Sequence, residues 1–152
     1  MNITKIELPD VWPVNPRRHG DHRGFFAETS SQRAYAALGV DATFVQDNHS
    51  VSAAAGTVRG LHFQAPPHSQ DKLVRVVRGA VLDVIVDIRA ASSTYGRHEA
   101  FRLDATAGTQ LFVPKGFLHG FCTLEPDTEV VYKVSAFYAP KADFSVLWND
   151  PD

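Results

Sequence analysis

Residues 59–72 bring together three side-chain types that could act on an anion. Arg59 and His62 lie within one apolar stretch, and Lys72 follows a Pro-Pro pair. Arginine can clamp an anion through two parallel hydrogen bonds, histidine is a base that titrates near neutral pH, and lysine supplies a positive charge. The competing interpretation is that His62 is structural, which is the commoner role of a histidine in an apolar strand.

Arg59 and His62 can work together only if they share a face. In a regular strand, alternate side chains point to opposite faces, which would separate these two residues. Gly60 lies between them, and glycine suits a β-bulge, which adds a residue and moves the following side chains to the other face. We therefore expect a bulge at Gly60 that places Arg59 and His62 on the same side.

Two further segments carry polar residues in apolar surroundings. Gln46, Asn48 and Ser50 share one strand face as a row of neutral donors and acceptors, for which a solvated face is the favoured interpretation. Gly108 begins a stretch that matches the second cupin motif, which is a glycine, five residues, Pro-x-Gly, two residues and a histidine, here His119. The Pro-x-Gly turn predicts that His119 points back into a barrel.

Many cupins bind a metal ion through a His-x-His pair, a glutamate and this later histidine. Gln64 stands where the second histidine of the pair would be, and His68 lies beyond the two prolines. No glutamate follows at a suitable distance. Because two histidines without a third ligand make a poor site for zinc or iron, we predict no metal and no other cofactor.

Short β segments must position these groups. They are predicted at 43–51, 57–64, 72–78, 80–89, 99–104, 110–113, 120–124 and 128–138, with a hairpin turn at Arg78-Gly79. A helix is predicted from Ser31, which can cap it, to Leu38, before Gly39. Repeated short strands with frequent turns predict an all-β sandwich or barrel.

Residues 81–89 show the clearest alternation. One face is entirely apolar, and the other mixes charged and apolar side chains; the first consists of Leu82, Val84, Val86 and Ile88, and the second of Val81, Asp83, Ile85, Asp87 and Arg89. We expect the first face to be core and the second to line a polar pocket. The solvent side of an open sheet would give the same pattern.

Length and charge limit the remaining possibilities. The 152 residues fit one domain. A net charge of −2 and the lack of a Lys/Arg run argue against a nucleic-acid partner. Cys122 is the one cysteine, which suits a reducing compartment. Without an apolar run of membrane length or a signal peptide, we expect a cytoplasmic protein with no membrane partner.

Several sequence blocks together resemble the dTDP-4-dehydrorhamnose 3,5-epimerase family across essentially the whole chain. The blocks are GDxRGFFxE at 20–28, FVQDNHS at 44–50, RGLHFQ at 59–64, KLVR at 72–75, PxGFxHGF at 114–121, YK at 132–133 and LWND at 147–150. The resemblance implies a cupin-type jelly-roll β-barrel with one or two short peripheral helices. It also implies a homodimer with shared sites that acts on dTDP-4-dehydro-6-deoxyglucose.

The same resemblance implies a role for each site residue. His62 would be the general base, Tyr132 the acid on the opposite sugar face, and Lys72 the cation near the C4 oxygen. The segment from Arg23 to Glu28 would reach the neighbouring subunit's pocket. The sugar nucleotide would be bound by Arg23, Phe26, Glu28, Gln46, Asn48, Arg59, His119, Tyr138 and Asp143, the last standing where the family usually has glutamate.

The resemblance further implies a segment beyond residue 152 that carries a carboxylate paired with the catalytic histidine. We therefore expect the sequence to be part of a longer protein. Within residues 1–152, Asp83 is the candidate partner of His62, because its parity places it on the inward face. Three alternatives remain open: an epimerase acting at one carbon only, a non-catalytic cupin that binds a nucleotide sugar, and, more distantly, a metal-dependent oxygenase.

Overall fold

The computed structural model describes residues 1–4 and 6–150. Within them one short helix, α1 (Gln32–Ala37), and a 3₁₀ turn at Pro140–Ala142 accompany the strands. The strands are β1 (Asn2–Ile3), β2 (Trp12–Asn15), β3 (Arg18–Asp21), β4 (Gly24–Ala27), β5 (Gln46–Ser52), β6 (Val58–Gln64), β7 (Lys72–Arg78), β8 (Ala80–Asp87), β9 (His98–Asp104), β10 (Gln110–Val113), β11 (Phe117–Thr123), β12 (Thr128–Val134) and β13 (Asp143–Ser145).

Two antiparallel sheets and one hairpin make up the fold. The six-stranded sheet has the order β1-β2-β10-β7-β12-β5, the five-stranded sheet has the order β13-β6-β11-β8-β9, and β3 pairs with β4 alone. Neighbours in each sheet are mostly far apart in sequence, as in a jelly roll. The predicted all-β fold with one or two short helices is therefore confirmed.

The core lies between the two sheets. Val74 and Val130 contribute from the six-stranded sheet, and Ile85 and Phe121 from the five-stranded sheet. A second apolar cluster covers the outer face of the six-stranded sheet, where α1 inserts Tyr35. Because burying one large apolar side chain stabilises the fold by about 1.5–3 kcal/mol, these two clusters make the barrel a firm support for the groups in its interior.

The predicted helix is confirmed, with Ser31 as its N-cap: the Ser31 hydroxyl accepts a hydrogen bond from the backbone N–H of Ala34 at 3.4 Å. The predicted hairpin at Arg78-Gly79 is wrong. β7 and β8 belong to different sheets, and Gly79 carries the chain across with φ +74° and no room for a Cβ beside Thr128. A glycine turn between two apolar segments is compatible both with a hairpin and with a connection between two sheets, so Arg78-Gly79 alone could not distinguish them.

The assignment of the Leu82 face of β8 to the core is also wrong, whereas the inward direction expected for Asp83 is confirmed. Leu82 is 40% exposed, whereas Asp83 and Asp87 are fully buried. The buried carboxylates are tolerated because they are hydrogen-bonded: Asp87 accepts from Arg89 and its neighbours, which hold its pKa well below the usual range. Apolar side chains on both faces of this strand made periodicity a poor guide to which face is core.

No helix in the described ranges 1–4 and 6–150 is long and apolar enough to cross a membrane.

Candidate active site

A β-bulge in β6 brings the first two candidate residues to the same cavity. His62 lies opposite His119, but Arg59 lies opposite Phe121, so a step of three residues on β6 matches a step of two on β11. Gly60 has φ +101°, and a Cβ there would be 2.6 Å from the His119 carbonyl oxygen. The bulge predicted at Gly60 is therefore confirmed, and only glycine fits its backbone.

Two adjoining cavities open inside the barrel, with volumes of about 190 and 310 Å³. His62, Lys72 and Tyr132 line both. The smaller cavity is completed by Ser50, Arg59, Val74, His119 and Phe121, and the larger one by Gln46, Asn48, Gln64, Gln70, Tyr138 and Asp143. The structure thus brings together most of the residues that the sequence selected, and their shared members lie at the junction of the two cavities.

Lys72 contacts His62 directly. The Lys72 Nζ atom lies 3.3 Å from Nε2 of His62, and because an ammonium group can only donate, Nε2 is the acceptor. Burial and then the charges of Lys72 and His119 lower the pKa of His62 to about 3. The expectation of a base with a pKa near neutrality is therefore wrong; His62 is uncharged at physiological pH, and its Nε2 lone pair accepts from Lys72 in the free site.

Lys72 is itself buried, at 4% exposed. Burial lowers its pKa to about 8, against the opposing influence of the Asp143 and Asp83 carboxylates. Lys72 is therefore mostly charged at neutral pH, but loses its proton far more readily than an exposed lysine. This places a cation, and a hydrogen-bond donor, at the junction of the two cavities.

Tyr132 faces His62 from the other wall. It lies on β12 of the six-stranded sheet, opposite Asn48 and Val74 in register, whereas His62 lies on the five-stranded sheet. Burial raises the pKa of the Tyr132 phenol, so the phenol keeps its proton and can donate it. A group placed in the cavity would thus have a neutral base on one side and an acid on the other.

Asp83 does not pair with His62, so that expectation is wrong. Both oxygens of the Asp83 carboxylate lie within 3.0 Å of Nε2 of His119. The strand order explains this: β11 lies between β8 and β6, so the Asp83 carboxylate on β8 meets a histidine of β11 before it could reach His62 on β6. The predicted inward direction of His119 is confirmed, because its side chain is almost fully buried against the cavity.

The mouth of the larger cavity is held by a chain of hydrogen bonds. Gln46 donates to Asn48 at 2.8 Å and accepts from the backbone N–H of Tyr138 at 3.2 Å. The Tyr138 hydroxyl donates to Asp143 at 3.3 Å. The favoured interpretation of 46–50 as a solvated face is therefore wrong: Gln46 and Asn48 point into the cavity.

The sequence indicates no role for Gln64 beyond its departure from the metal motif. The buried Gln64 amide donates to the carbonyls of His68 and Phe137 and accepts from the N–H of Ala139. It thereby fixes the segment that presents Tyr138. The available signal was spacing, since Gln64 shares a strand face with His62.

Arg23, Phe26 and Glu28 lie away from these cavities in their own chain. Arg23 and Phe26 project on the β3–β4 hairpin, with the Arg23 side chain 78% exposed and Phe26 71% exposed. Glu28 instead borders a groove of about 480 Å³ on the outside of the six-stranded sheet. In the part of the chain that the structure describes, none of these three residues lines either cavity at His62.

In the described part of the chain, no group of three or more His, Cys, Asp or Glu side chains is placed to hold a metal ion. The prediction that no metal is needed stays a prediction.

The fold and cavities define a cupin-type jelly roll in which the imidazole of His62, the phenol of Tyr132 and the ammonium group of Lys72 line both cavities. The chain belongs to the dTDP-4-dehydrorhamnose 3,5-epimerase family, whose family model matches residues 5–152. The predicted family and the predicted enzyme class, an isomerase, are thereby confirmed.

The similarity to individual members covers nearly the whole chain. A dTDP-4-dehydrorhamnose 3,5-epimerase of Shigella flexneri is 47% identical over 99% of this chain and 83% of its own length. The crystal structure of a Bacillus anthracis dTDP-4-dehydrorhamnose 3,5-epimerase with TDP and PPi bound has a TM-score of 0.97 at 49% identity, covering 99% of this chain and 86% of that one. A Legionella pneumophila epimerase in complex with dTDP-4-keto-L-rhamnose has a TM-score of 0.94 at 40% identity, covering 99% and 79%.

Proposed function

We propose that this protein is a dTDP-4-dehydrorhamnose 3,5-epimerase that inverts C3 and C5 of dTDP-4-dehydro-6-deoxyglucose. The observation that carries the proposal is the placement of His62 and Tyr132 on opposite walls of the cavity, with Lys72 Nζ 3.3 Å from His62 Nε2. Similar solved structures with TDP and PPi or a dTDP-keto sugar bound support the ligand class.

The chemistry follows from the ketone at C4. The hydrogens on C3 and C5 are acidic because their removal gives an enolate on the C4 oxygen. His62, uncharged at neutral pH, removes the proton, and the Lys72 ammonium stabilises the enolate oxygen. Tyr132 then returns a proton from the opposite face, which inverts the carbon. Each inversion leaves His62 with one proton more and Tyr132 with one proton fewer, so His62 gives its proton to solvent water and Tyr132 takes one from water before the next centre reacts.

Entry of the ketone also resolves the weakness of His62 as a base. In the free site the Lys72 ammonium donates to the Nε2 lone pair of His62 across 3.3 Å. When the ammonium donates to the C4 oxygen instead, it no longer occupies this lone pair. The base is then freed at the moment when the carbon acid is activated. Arg59, in the same cavity, supplies paired donors for a diphosphate oxygen.

The proposal includes a cytoplasmic homodimer in which each subunit completes the other's site. Arg23 and Phe26 extend on a hairpin that pairs with no other strand of the described chain. Exposed aromatic groups such as Phe25 and Phe26 are typical of surfaces that a partner covers. In the dimer Phe26 would stack on thymine, and Arg23 and Glu28 would contact the nucleotide in the neighbouring pocket.

Mixing two inactive variants tests the shared site. Arg23→Ala and His62→Ala chains are unfolded, mixed in equal amounts and refolded together. In a symmetric dimer half of the pairs are mixed and one of their two sites is intact, so about a quarter of the wild-type activity returns. If Arg23 served its own chain's cavity, no mixed site would be intact and no activity would return.

The configuration of the product tests the reaction itself. The protein is incubated with dTDP-4-dehydro-6-deoxyglucose, and the vicinal proton couplings of the product are measured by NMR. Inversion at both C3 and C5 is the expected result. Inversion at one carbon would replace the proposal with a mono-epimerase, and unchanged sugar with bound nucleotide would replace it with a binding protein.

A further inference from the structure

Asp83 is a fully buried carboxylate in an apolar strand. Its neighbours on the same face of β8 are Val81 and Ile85, both also fully buried. Both carboxylate oxygens accept from one atom, Nε2 of His119, at 3.0 and 2.9 Å. A carboxylate in such a position is costly unless it is hydrogen-bonded, so its contact with His119 is the feature to be explained.

The contact fixes the protonation of one ring nitrogen. An ionised carboxylate only accepts hydrogen bonds, so Nε2 of His119 must carry the hydrogen. The other ring nitrogen, Nδ1, is then the one left to meet a molecule in the cavity that His119 lines. Asp83 thus selects both the orientation of the ring and the nitrogen that it presents.

His119 occupies the centre of this wall. Its strand β11 lies between β6 and β8, and His119 is directly opposite His62 in register. The two imidazole rings are 6.3 Å apart between centroids. The charged and titratable side chains that share the cavity with His119 are Arg59, His62, Lys72 and Tyr132. A sugar in contact with His62 would therefore also reach His119.

We propose that Asp83 is a positioning residue for the epimerisation, acting through His119. Asp83 holds the His119 ring so that its Nδ1 contacts the sugar. This contact positions the carbon that loses its proton next to His62. This inference rests on the proposed function. A purely structural role is the weaker account, because a buried ion pair or charged hydrogen bond often adds no stability over an apolar replacement of similar size.

The tautomer of His119 tests the proposal without any activity. Long-range ¹H–¹⁵N NMR of the wild-type protein is expected to show the hydrogen on Nε2. In Asp83→Asn an amide N–H₂ faces Nε2 and favours the hydrogen on Nδ1, as asparagine does in the serine-protease triad. A wild-type ring with its hydrogen on Nδ1 alone would overturn the proposal, whether or not the variant folds.

Kinetics test the positioning role. Misplacement of a substrate by about 1 Å can reduce the rate roughly 10²-fold, so kcat of Asp83→Asn should fall about 10²-fold. KM should change less than about 3-fold, because most of the nucleotide contacts remain. A rise in KM with unchanged kcat would overturn the proposal.

Asp87 provides the matched control. It is also a fully buried carboxylate on the same face of β8, but it is bound by Arg89, Ser92 and Thr94. Asp87→Asn should lower Tm while leaving kcat within about 3-fold and the His119 tautomer unchanged. An equal loss of kcat in both variants would mean that Asp83 acts through stability alone. If the wild-type protein does not epimerise the sugar, the proposed function fails, but the His119 tautomer still reports on Asp83.

Discussion

Lys72 Nζ lies 3.3 Å from Nε2 of His62, so the ligand-free site holds its cation against its own base. The positive charge of Lys72 disfavours a protonated His62. It lowers the pKa of His62 further after burial has already lowered it. The base is thus kept uncharged, and its lone pair is occupied until a ketone oxygen competes for the Lys72 proton.

Replacing Lys72 by methionine should raise the pKa of His62. Lys72→Met removes the charge but keeps the length and burial of the side chain, so the pKa should rise from about 3 but stay below 6.5, because burial is the largest cause of its shift. The measurement is a titration of the His62 ring followed by NMR.

Lys133→Met is the control for this titration. Lys133 lies on the same sheet but pairs with Asp47 on the outside, at 2.8 Å. Lys133→Met should leave the pKa of His62 unchanged. A His62 pKa that is the same in wild type and in Lys72→Met would contradict the account of the contact.

The pH profile of kcat/KM should fall on the alkaline side only. Lys72 loses its proton as pH rises through about 8, so enolate stabilisation and kcat/KM should decline above that pH. His62 is already deprotonated above a pKa of about 3, so no acid decline is expected between pH 5 and 7. Lys72→Arg should remove the alkaline decline, because arginine stays charged. A wild-type acid limb with a midpoint between pH 6 and 7 would be inconsistent with this environment of His62.

Gly60→Ala should destabilise the fold more than Gly56→Ala. Both glycines have positive φ, +101° and +79°, but a Cβ at Gly60 would meet the His119 backbone at 2.6 Å, whereas Gly56 has open space. We expect about 1–2 kcal/mol lost at Gly56 from backbone strain and at least about 3 kcal/mol at Gly60. Urea unfolding measures both, and equal losses would show that the bulge tolerates a side chain.

Tyr132→Phe should impair inversion more than proton exchange. The variant keeps the ring but removes the hydroxyl that faces His62 from the six-stranded sheet. His62 can still remove and return a proton on its own face, so deuterium uptake should persist while epimerised product falls roughly 10²-fold or more. Parallel loss of uptake and inversion would argue against an acid on the opposite face.

Most of the fold could be predicted from the sequence, and the predictions that failed did so for physical reasons. Strand positions such as Lys72–Arg78 and Gln110–Val113 agree with the pattern, because branched and aromatic residues were bounded by turn residues. β2, β3 and β4 were not predicted, since Pro13 and the charged hairpin residues weaken the local signal. The Leu82 face of β8 was wrongly taken as core because both faces of this strand carry apolar residues, so alternation alone does not show which face is buried.

The sequence predicted many of the residues that meet in the two cavities, but not Arg23, Phe26 and Glu28, which lie elsewhere, and not which side chains pair. Motif order selected His62, Lys72 and Tyr132, which the structure brings to one cavity. The partner of Asp83 could not be predicted, because it depends on the order of strands in the sheet. β11 lies between β8 and β6, so Asp83 contacts His119 instead of His62. The low pKa of His62 was missed for a similar reason, as burial and the Lys72 contact are properties of the assembled barrel.

His62 is the group on which the account depends, and solvent exchange tests it most directly. The wild-type protein and His62→Ala are incubated with dTDP-4-dehydro-6-deoxyglucose in D₂O, and deuterium at C3 and C5 is followed by NMR, with His49→Ala on the outer, exposed face of β5 as control. We expect deuterium at both carbons for wild type and control, and a loss of at least roughly 10²-fold at both carbons in His62→Ala with nucleotide still bound. Continued exchange in His62→Ala would contradict it.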